Sequence, residues 1–216
     1  HSVRPELKRR DFNRLCFGWL GAGYFSHALA AEAKRILVIG DSISAEYGIA
    51  RGTGWVALLG KQLEAEKKGW QVINASVSGD TSAGGLARLP LLLQQHQPQW
   101  VLIELGGNDA LRGFPISTTE NNLKQMIQAA QAQKAKVLLL GMEVPPNYGP
   151  EYTRNFKQMF VRLSQQQRIP LVPFLLKGVA DGPDPTALFQ EDRIHPKAQA
   201  HPIILGNVWS VLKKWL

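Results

Sequence analysis

Ser42 stands in Gly40-Asp41-Ser42-Ile43-Ser44, directly after the apolar run Arg35-Ile36-Leu37-Val38-Ile39. A β-branched run that stops at a Gly-Asp turn reads as a buried strand delivering the serine hydroxyl to its carboxyl end. In an open α/β sheet, ligands bind and chemistry is built at that edge. A serine hydroxyl is a weak nucleophile at neutral pH and needs a base beside it. His195, in Asp192-Arg193-Ile194-His195-Pro196, is the candidate base. Asp192, three residues earlier, is placed to accept the ring's other N–H and fix its tautomer. A tetrahedral intermediate also needs donors aimed at its oxyanion. The candidates are the backbone N–H of Ser42, the backbone N–H of Gly79 and the side-chain amide of Asn108. Gly79 lacks a Cβ and lets the backbone approach a ligand, and Gly106-Gly107 gives Asn108 the same freedom. Each feature alone has a plain reading: a turn serine, a surface histidine beside a capping Asp, two strand-to-helix turns. Together they point to nucleophilic acyl transfer and a hydrolase.

Pro196 suits the first position of a helix, which predicts His195 at a helix N-terminus where positive partial charge disfavours imidazolium. His96 and His201 have no carboxylate at a useful spacing and read as structural. Asp41 and Asp109, next to the candidate catalytic residues, read as turn-stabilising. No G-x-S-x-G elbow occurs. Residues 54–61 miss the phosphate-loop spacing by one, and no His-Glu-x-x-His or histidine cluster marks a metal site.

These residues need elements to position them. Short apolar runs predict strands over 35–40, 70–75, 100–105, 137–141 and 170–174. Amphipathic stretches between and after them predict helices over 55–68, 83–93, 118–134, 151–167 and 197–216. Continuous apolar strands alternating with helices imply a parallel sheet covered on both faces. The expected class is therefore α/β, a five-stranded, doubly wound sheet of order 2-1-3-4-5. That order brings Gly79 and Asn108 to either side of Ser42.

The 216 residues suffice for one domain with a full core, and 44% hydrophobic with 19% charged residues is the composition of a folded globule. The formal net charge of +8 does not concentrate into a nucleic-acid footprint. Arg4, Lys8, Arg9, Arg10 and Arg14 against Glu6 and Asp11 place part of it in the first thirty residues, and the rest is dispersed. Residues 1–30 resemble an export signal: a basic segment, a weakly polar run from Leu15 to Ala31, and the small residues of Ala28-Leu29-Ala30. Arg9-Arg10 also brushes the twin-arginine pattern. Cleavage after Ala30 or Ala31 would leave about 185 residues, predicting a single domain over 31–216 in a periplasmic or secreted protein with no stable membrane insertion. Cys16 is the one cysteine and falls in that segment, so the mature protein would have no disulfide, thiolate metal site or cysteine nucleophile.

The blocks GDSISAEYG, INASVSGDTSAGGLARLP, QHQPQWVLIELGGNDALRGF and DRIHP resemble, in order, those of the SGNH (GDSL) hydrolase family. The likeness covers nearly the whole chain after residue 30. It is nearest to the branch of bacterial periplasmic thioesterase I/protease I/lysophospholipase L1 enzymes and arylesterases. The resemblance implies a flavodoxin-like three-layer fold, Ser42 as nucleophile, Gly79 and Asn108 as oxyanion donors, and Asp192 with His195 completing a triad. It also implies no cofactor and a small-molecule acyl ester or thioester as substrate. Ala110 replaces a glycine often seen in this branch, and Pro183, Asp184 and Pro185 make the segment before the last block turn-rich. Segments 111–117 and 144–148 are the expected walls of the acyl site, with Leu111, Phe114, Val144, Pro145 and Tyr148 as substrate-binding candidates, joined by Asp41 and Ile194 beside the catalytic residues. Two other readings are a carbohydrate O-acetylesterase of the same family, which needs a shallow polar pocket, and a non-catalytic flavodoxin-like binding domain.

Overall fold

Five parallel strands lie in the order β2-β1-β3-β4-β5. They are β1 (Lys34–Gly40), β2 (Trp70–Asn74), β3 (Trp100–Glu104), β4 (Lys136–Leu140) and β5 (Leu171–Val172). This computed structural model describes residues 34–216; the segment expected to be an export signal, with Cys16, lies outside the described residues. The order and the parallel pairing are those expected from the pattern of apolar runs. The three inner strands are buried on both faces: Ile36 to Ile39, Val101 to Ile103 and Leu138 to Leu140 are each fully or almost fully buried. Strands covered twice lose the polar alternation of a half-exposed strand, which is why they read as continuous runs.

The helices are α1 (Trp55–Ala65), α2 (Ser82–His96), α3 (Gly107–Leu111), α4 (Ile116–Ala132), α5 (Pro150–Gln167) and α6 (His201–Leu212). α1 packs with α6, and α2 packs with α4, which packs with α5. Among the described residues no helix is long and apolar enough to cross a membrane. Three boundaries differ from expectation for physical reasons. β5 is only two residues long because Pro173 cannot donate to a ladder. α2 runs through Pro90 to His96 and ends on Gln97 in the left-handed region. The short α3 was expected only as a turn; it closes with Ala110 buried in its interior.

The largest correction concerns the last helix. It begins at His201, with Pro202 in its first turn, after a 3-10 turn over Ala198–Ala200. His195 is therefore not at a helix N-terminus, and the helix charge invoked for it acts elsewhere. Pro196 instead pairs with Phe189 in an isolated antiparallel bridge, closed by Gln190 N–H donating to the His195 carbonyl at 2.8 Å.

His201, read as structural, joins the first and last helices. Its Nδ1 accepts the N–H of Trp55 at 3.0 Å, satisfying one of the unpaired donors at the start of α1. Burial lowers its pKa from 6.5, against opposing effects of Glu46 and a hydrogen bond to the Pro196 backbone. A histidine with a depressed folded-state pKa contributes stability that is present above its unfolded pKa and is lost as pH falls. Thermal melting followed from pH 8 to pH 5 should show this loss beginning near the unfolded value of about 6.5. His201→Asn keeps an acceptor but does not titrate, and its melting temperature should fall less steeply over that range. An unchanged slope would contradict this role.

Candidate active site

The site is assembled at the carboxyl rim of β1, β2 and β3. After Gly40 the chain enters a turn in which the Ala45 N–H donates to the Asp41 carbonyl at 2.9 Å and the Ile43 N–H to Asp41 Oδ1 at 3.0 Å. This turn presents Ser42, 8% exposed, to the loop before α6. His195 Nε2 lies 2.8 Å from Ser42 Oγ, and His195 Nδ1 lies 2.6 Å from Asp192 Oδ2. Residues 153 positions apart thus form a hydroxyl–imidazole–carboxylate line. With Nδ1 protonated toward the carboxylate, Nε2 is free to accept the serine proton.

Asp192 divides its oxygens between two tasks. Oδ1 accepts the backbone N–H groups of Ile194 and His195, at 2.9 and 3.0 Å, and folds the loop. Oδ2 orients the ring. The His195 N–H and the ring hydrogen bond, in that order, hold the Asp192 carboxyl down to about 2. It therefore stays ionised wherever the histidine works as a base. The Tyr47 ring lies against the imidazole at a centroid distance of 4.3 Å, tilted by 40°. Its π face favours the imidazolium that exists only after the proton has moved. Nothing in the sequence singled out Tyr47.

The other two candidate oxyanion donors, Gly79 and Asn108, lie past the ends of β2 and β3, the strands on either side of β1. Among the described residues, the N–H groups of Ser42 and Gly79 have no protein acceptor. Gly79 adopts φ +78°, a conformation that favours glycine, and its carbonyl accepts Arg112 Nη2 at 3.0 Å. Asn108, in the first turn of α3, donates from Nδ2 to Asp41 Oδ2 at 3.0 Å and to the Asp80 carbonyl at 2.9 Å. Its amide plane is fixed before any substrate arrives. Asp109 turns inward, accepting the N–H and hydroxyl of Ser82 and so tying α3 to the start of α2.

The substrate-binding candidates divide into two groups. Leu111, Phe114 and Ile194 are well exposed apolar side chains, Pro145 is exposed and Tyr148 is half-buried. Leu111 and Phe114 follow β3, Pro145 and Tyr148 follow β4, and Ile194 adjoins His195, so all belong to the catalytic rim. Val144 and Asp41 are less exposed. Val144 is buried in the core, and Asp41, 3% exposed, spends its carboxylate on Ile43 and Asn108. Tyr148 begins a file of rings, Tyr152, Phe156 and Phe160, that runs from the rim into the core. Two surface cavities, of about 790 and 400 Å³, include none of the candidate catalytic or oxyanion residues.

A buried carboxyl beneath the nucleophile turn, Glu104, was also missed. The available signal was an acidic residue closing the otherwise apolar run Trp100-Val101-Leu102-Ile103.

Comparison with known proteins agrees with this geometry. Residues 38–203 match the model of the GDSL-like lipase/acylhydrolase family. The chain is 50% identical over 186 residues to esterase TesA of Pseudomonas aeruginosa, covering 86% of this chain and 91% of that protein. A solved structure of TesA aligns with a TM-score of 0.81 at 50% identity, over 85% of this chain and all of the other. The thioesterase 1/protease 1/lysophospholipase L1 of Escherichia coli K12 is 45% identical over 175 residues, 81% of each chain. An arylesterase of Vibrio mimicus is 41% identical over 194 residues, 89% of this chain and 96% of that one. With its parallel sheet and its serine, glycine, asparagine and histidine gathered at one rim, the chain belongs to the GDSL-like lipase/acylhydrolase family, the SGNH hydrolases.

Proposed function

We propose that the protein hydrolyses carboxylic esters and thioesters through an acyl-enzyme on Ser42. The observation that carries this reading is the 2.8 Å contact between Ser42 Oγ and His195 Nε2, with the backbone N–H groups of Ser42 and Gly79 left without an acceptor among the described residues. Ser42 attacks the acyl carbonyl while His195 takes its proton; Asp192 holds the ring and balances the imidazolium. The developing oxyanion receives the N–H groups of Ser42 and Gly79 and one N–H of Asn108. The Asn108 hydrogen directed at the neutral Asp80 carbonyl is the one it takes over, because the Asp41 carboxylate is the stronger acceptor. His195 then protonates the departing alkoxide or thiolate. Water, with His195 again as base, releases the acid.

The acyl group lies against exposed apolar residues, of which Leu111, Phe114 and Ile194 are the main candidates. An apolar rim of this kind suits fatty or aromatic acyl groups better than a sugar. The relatives named esterase, thioesterase, lysophospholipase and arylesterase support the same substrate classes for this chain. p-Nitrophenyl esters from acetate to decanoate, together with an acyl-CoA and a lysophospholipid, test the reading against a Ser42→Ala blank. The expected result is higher kcat/KM on medium chains than on acetate. A preference for acetate of tenfold or more, with hydrolysis of acetylated sugars, would transfer the protein to carbohydrate deacetylation. Export to the periplasm or medium is proposed on residues 1–30 and is tested by cell fractionation of the full chain.

A further inference from the structure

Glu104 ends β3 in register with Gly40 of β1, the residue that opens the nucleophile turn. Its side chain is fully buried. One oxygen, Oε2, accepts the N–H of Asp41 at 3.1 Å and the hydroxyl of Ser44 at 2.8 Å. Ser44 in turn accepts the indole N–H of Trp55 at 3.1 Å. The other oxygen, Oε1, is buried and has no donor. Asp41, whose N–H Glu104 holds, is itself 3% exposed, so two carboxyl groups are buried side by side at this turn. A Cβ on Gly40 would stand 2.7 Å from Oε2, so the glycine before Asp41 makes the space that Glu104 fills.

Two carboxyl groups in contact and out of water do not both ionise. Burial, then the Asp41 charge, pushes Glu104 well above the usual carboxylate range; burial raises Asp41 to about 6 against the opposing hydrogen bonds of Ile43 and Glu104. Glu104 Oε1, which no N–H reaches, is the oxygen left to carry the proton, while the Asp41 carboxylate, accepting the N–H groups of Ile43 and Asn108, keeps the negative charge. That charge is the acceptor which grips Asn108.

We propose that Glu104 is a positioning residue of the oxyanion site: its neutral carboxyl donates to Asp41 and sets the carboxylate that aims the Asn108 amide. Glu104 stands to the oxyanion donor as Asp192 stands to the base. Ionisation of Glu104 removes that donor, sets two negative charges against each other and turns Asp41 away from Asn108. The other titratable groups acting on Asp41 are Asp80, from the loop before α2, and His195. Both remain in every Glu104 variant, so an alkaline loss of kcat that a Glu104 variant lacks belongs to Glu104.

This inference rests on the reading of Asn108 as an oxyanion donor. Asn108→Ala, measured in parallel, tests that reading by itself: a variant within threefold of wild-type kcat removes it. Glu104→Leu keeps the volume and loses the donor. It should lower kcat by roughly 10- to 100-fold, less than the full loss of an oxyanion donor, with KM changed by less than threefold. Glu104→Gln offers an amide N–H to Asp41 and a carbonyl to Ser44, so it should recover most of that loss. It should also lack the alkaline fall in kcat. Infrared spectra at neutral pH should show a protonated-carboxyl band that Glu104→Gln loses. If Asn108→Ala is impaired while Glu104→Leu keeps kcat within threefold, the Glu104 inference alone fails. Where Glu104→Leu does not fold, Glu104→Gln decides. A fall in kcat as deep as that of Asn108→Ala, or a wild-type alkaline limb, overturns the inference.

Discussion

Ser42→Ala is expected to lower kcat by at least about 10⁴-fold on any ester the enzyme turns over, equivalent to about 5 kcal/mol or more of barrier. The size follows from what the hydroxyl does. It is the atom that becomes bonded to the acyl group, and among the described residues no other hydroxyl is hydrogen-bonded to His195 Nε2. Direct attack of water in the emptied space would keep only the contribution of substrate binding and the oxyanion donors. The fold should be untouched, because Ser42 Oγ contacts the imidazole and carries no structural hydrogen bond among the described residues. Matching melting temperatures with a lost kcat would separate chemistry from stability. Activity within tenfold of wild type would show that another group is the nucleophile.

His195→Ala is expected to fall nearly as far, about 10⁴-fold or more, since a hydroxyl without its base reacts hardly better than none. Asp192→Ala should lose less, on the order of 10²- to 10⁴-fold, because it orients the ring and takes no proton. Part of the Asp192 loss is structural. The same carboxylate holds the N–H groups of Ile194 and His195, and Arg193 sits at φ +58° to close that turn. Asp192→Asn, which keeps an oxygen for the loop, should therefore restore the loop without restoring the full rate. Steady-state kinetics on one p-nitrophenyl ester ranks the three variants. A larger loss at Asp192 than at His195, in folded protein, would exchange the roles assigned to them.

The parts of this site carried by single elements were legible in the sequence. Ser42 follows a continuous apolar strand, Asn108 follows a Gly-Gly pair, and His195 follows Asp192 at a spacing that allows one turn. The buried strands β1, β3 and β4 were readable for the same reason: apolar runs of four residues bounded by polar or glycine residues have few other uses. What escaped were relations between elements. Glu104 and Asp41 meet across neighbouring strands although 63 positions separate them. Tyr47 covers the imidazole from another loop, and Trp55 links α1 to both Ser44 and His201. The start of α6 was misplaced because His-Pro occurs twice, at 195–196 and 201–202, and either proline suits a first helical turn. Local pattern could not choose between them. The bridge from Phe189 to Pro196 settles it by holding the first pair extended.

The central claim is that the Ser42 hydroxyl is the reacting atom of the whole assembly, and covalent trapping tests it most directly. The full-length protein is treated with a fluorophosphonate, digested, and the modified residue located by mass spectrometry. One phosphonyl group on Ser42, appearing in step with loss of esterase activity and strongly slowed in His195→Ala, is the predicted result. Complete inactivation with the label on another residue, or full activity with Ser42 stoichiometrically modified, would contradict it.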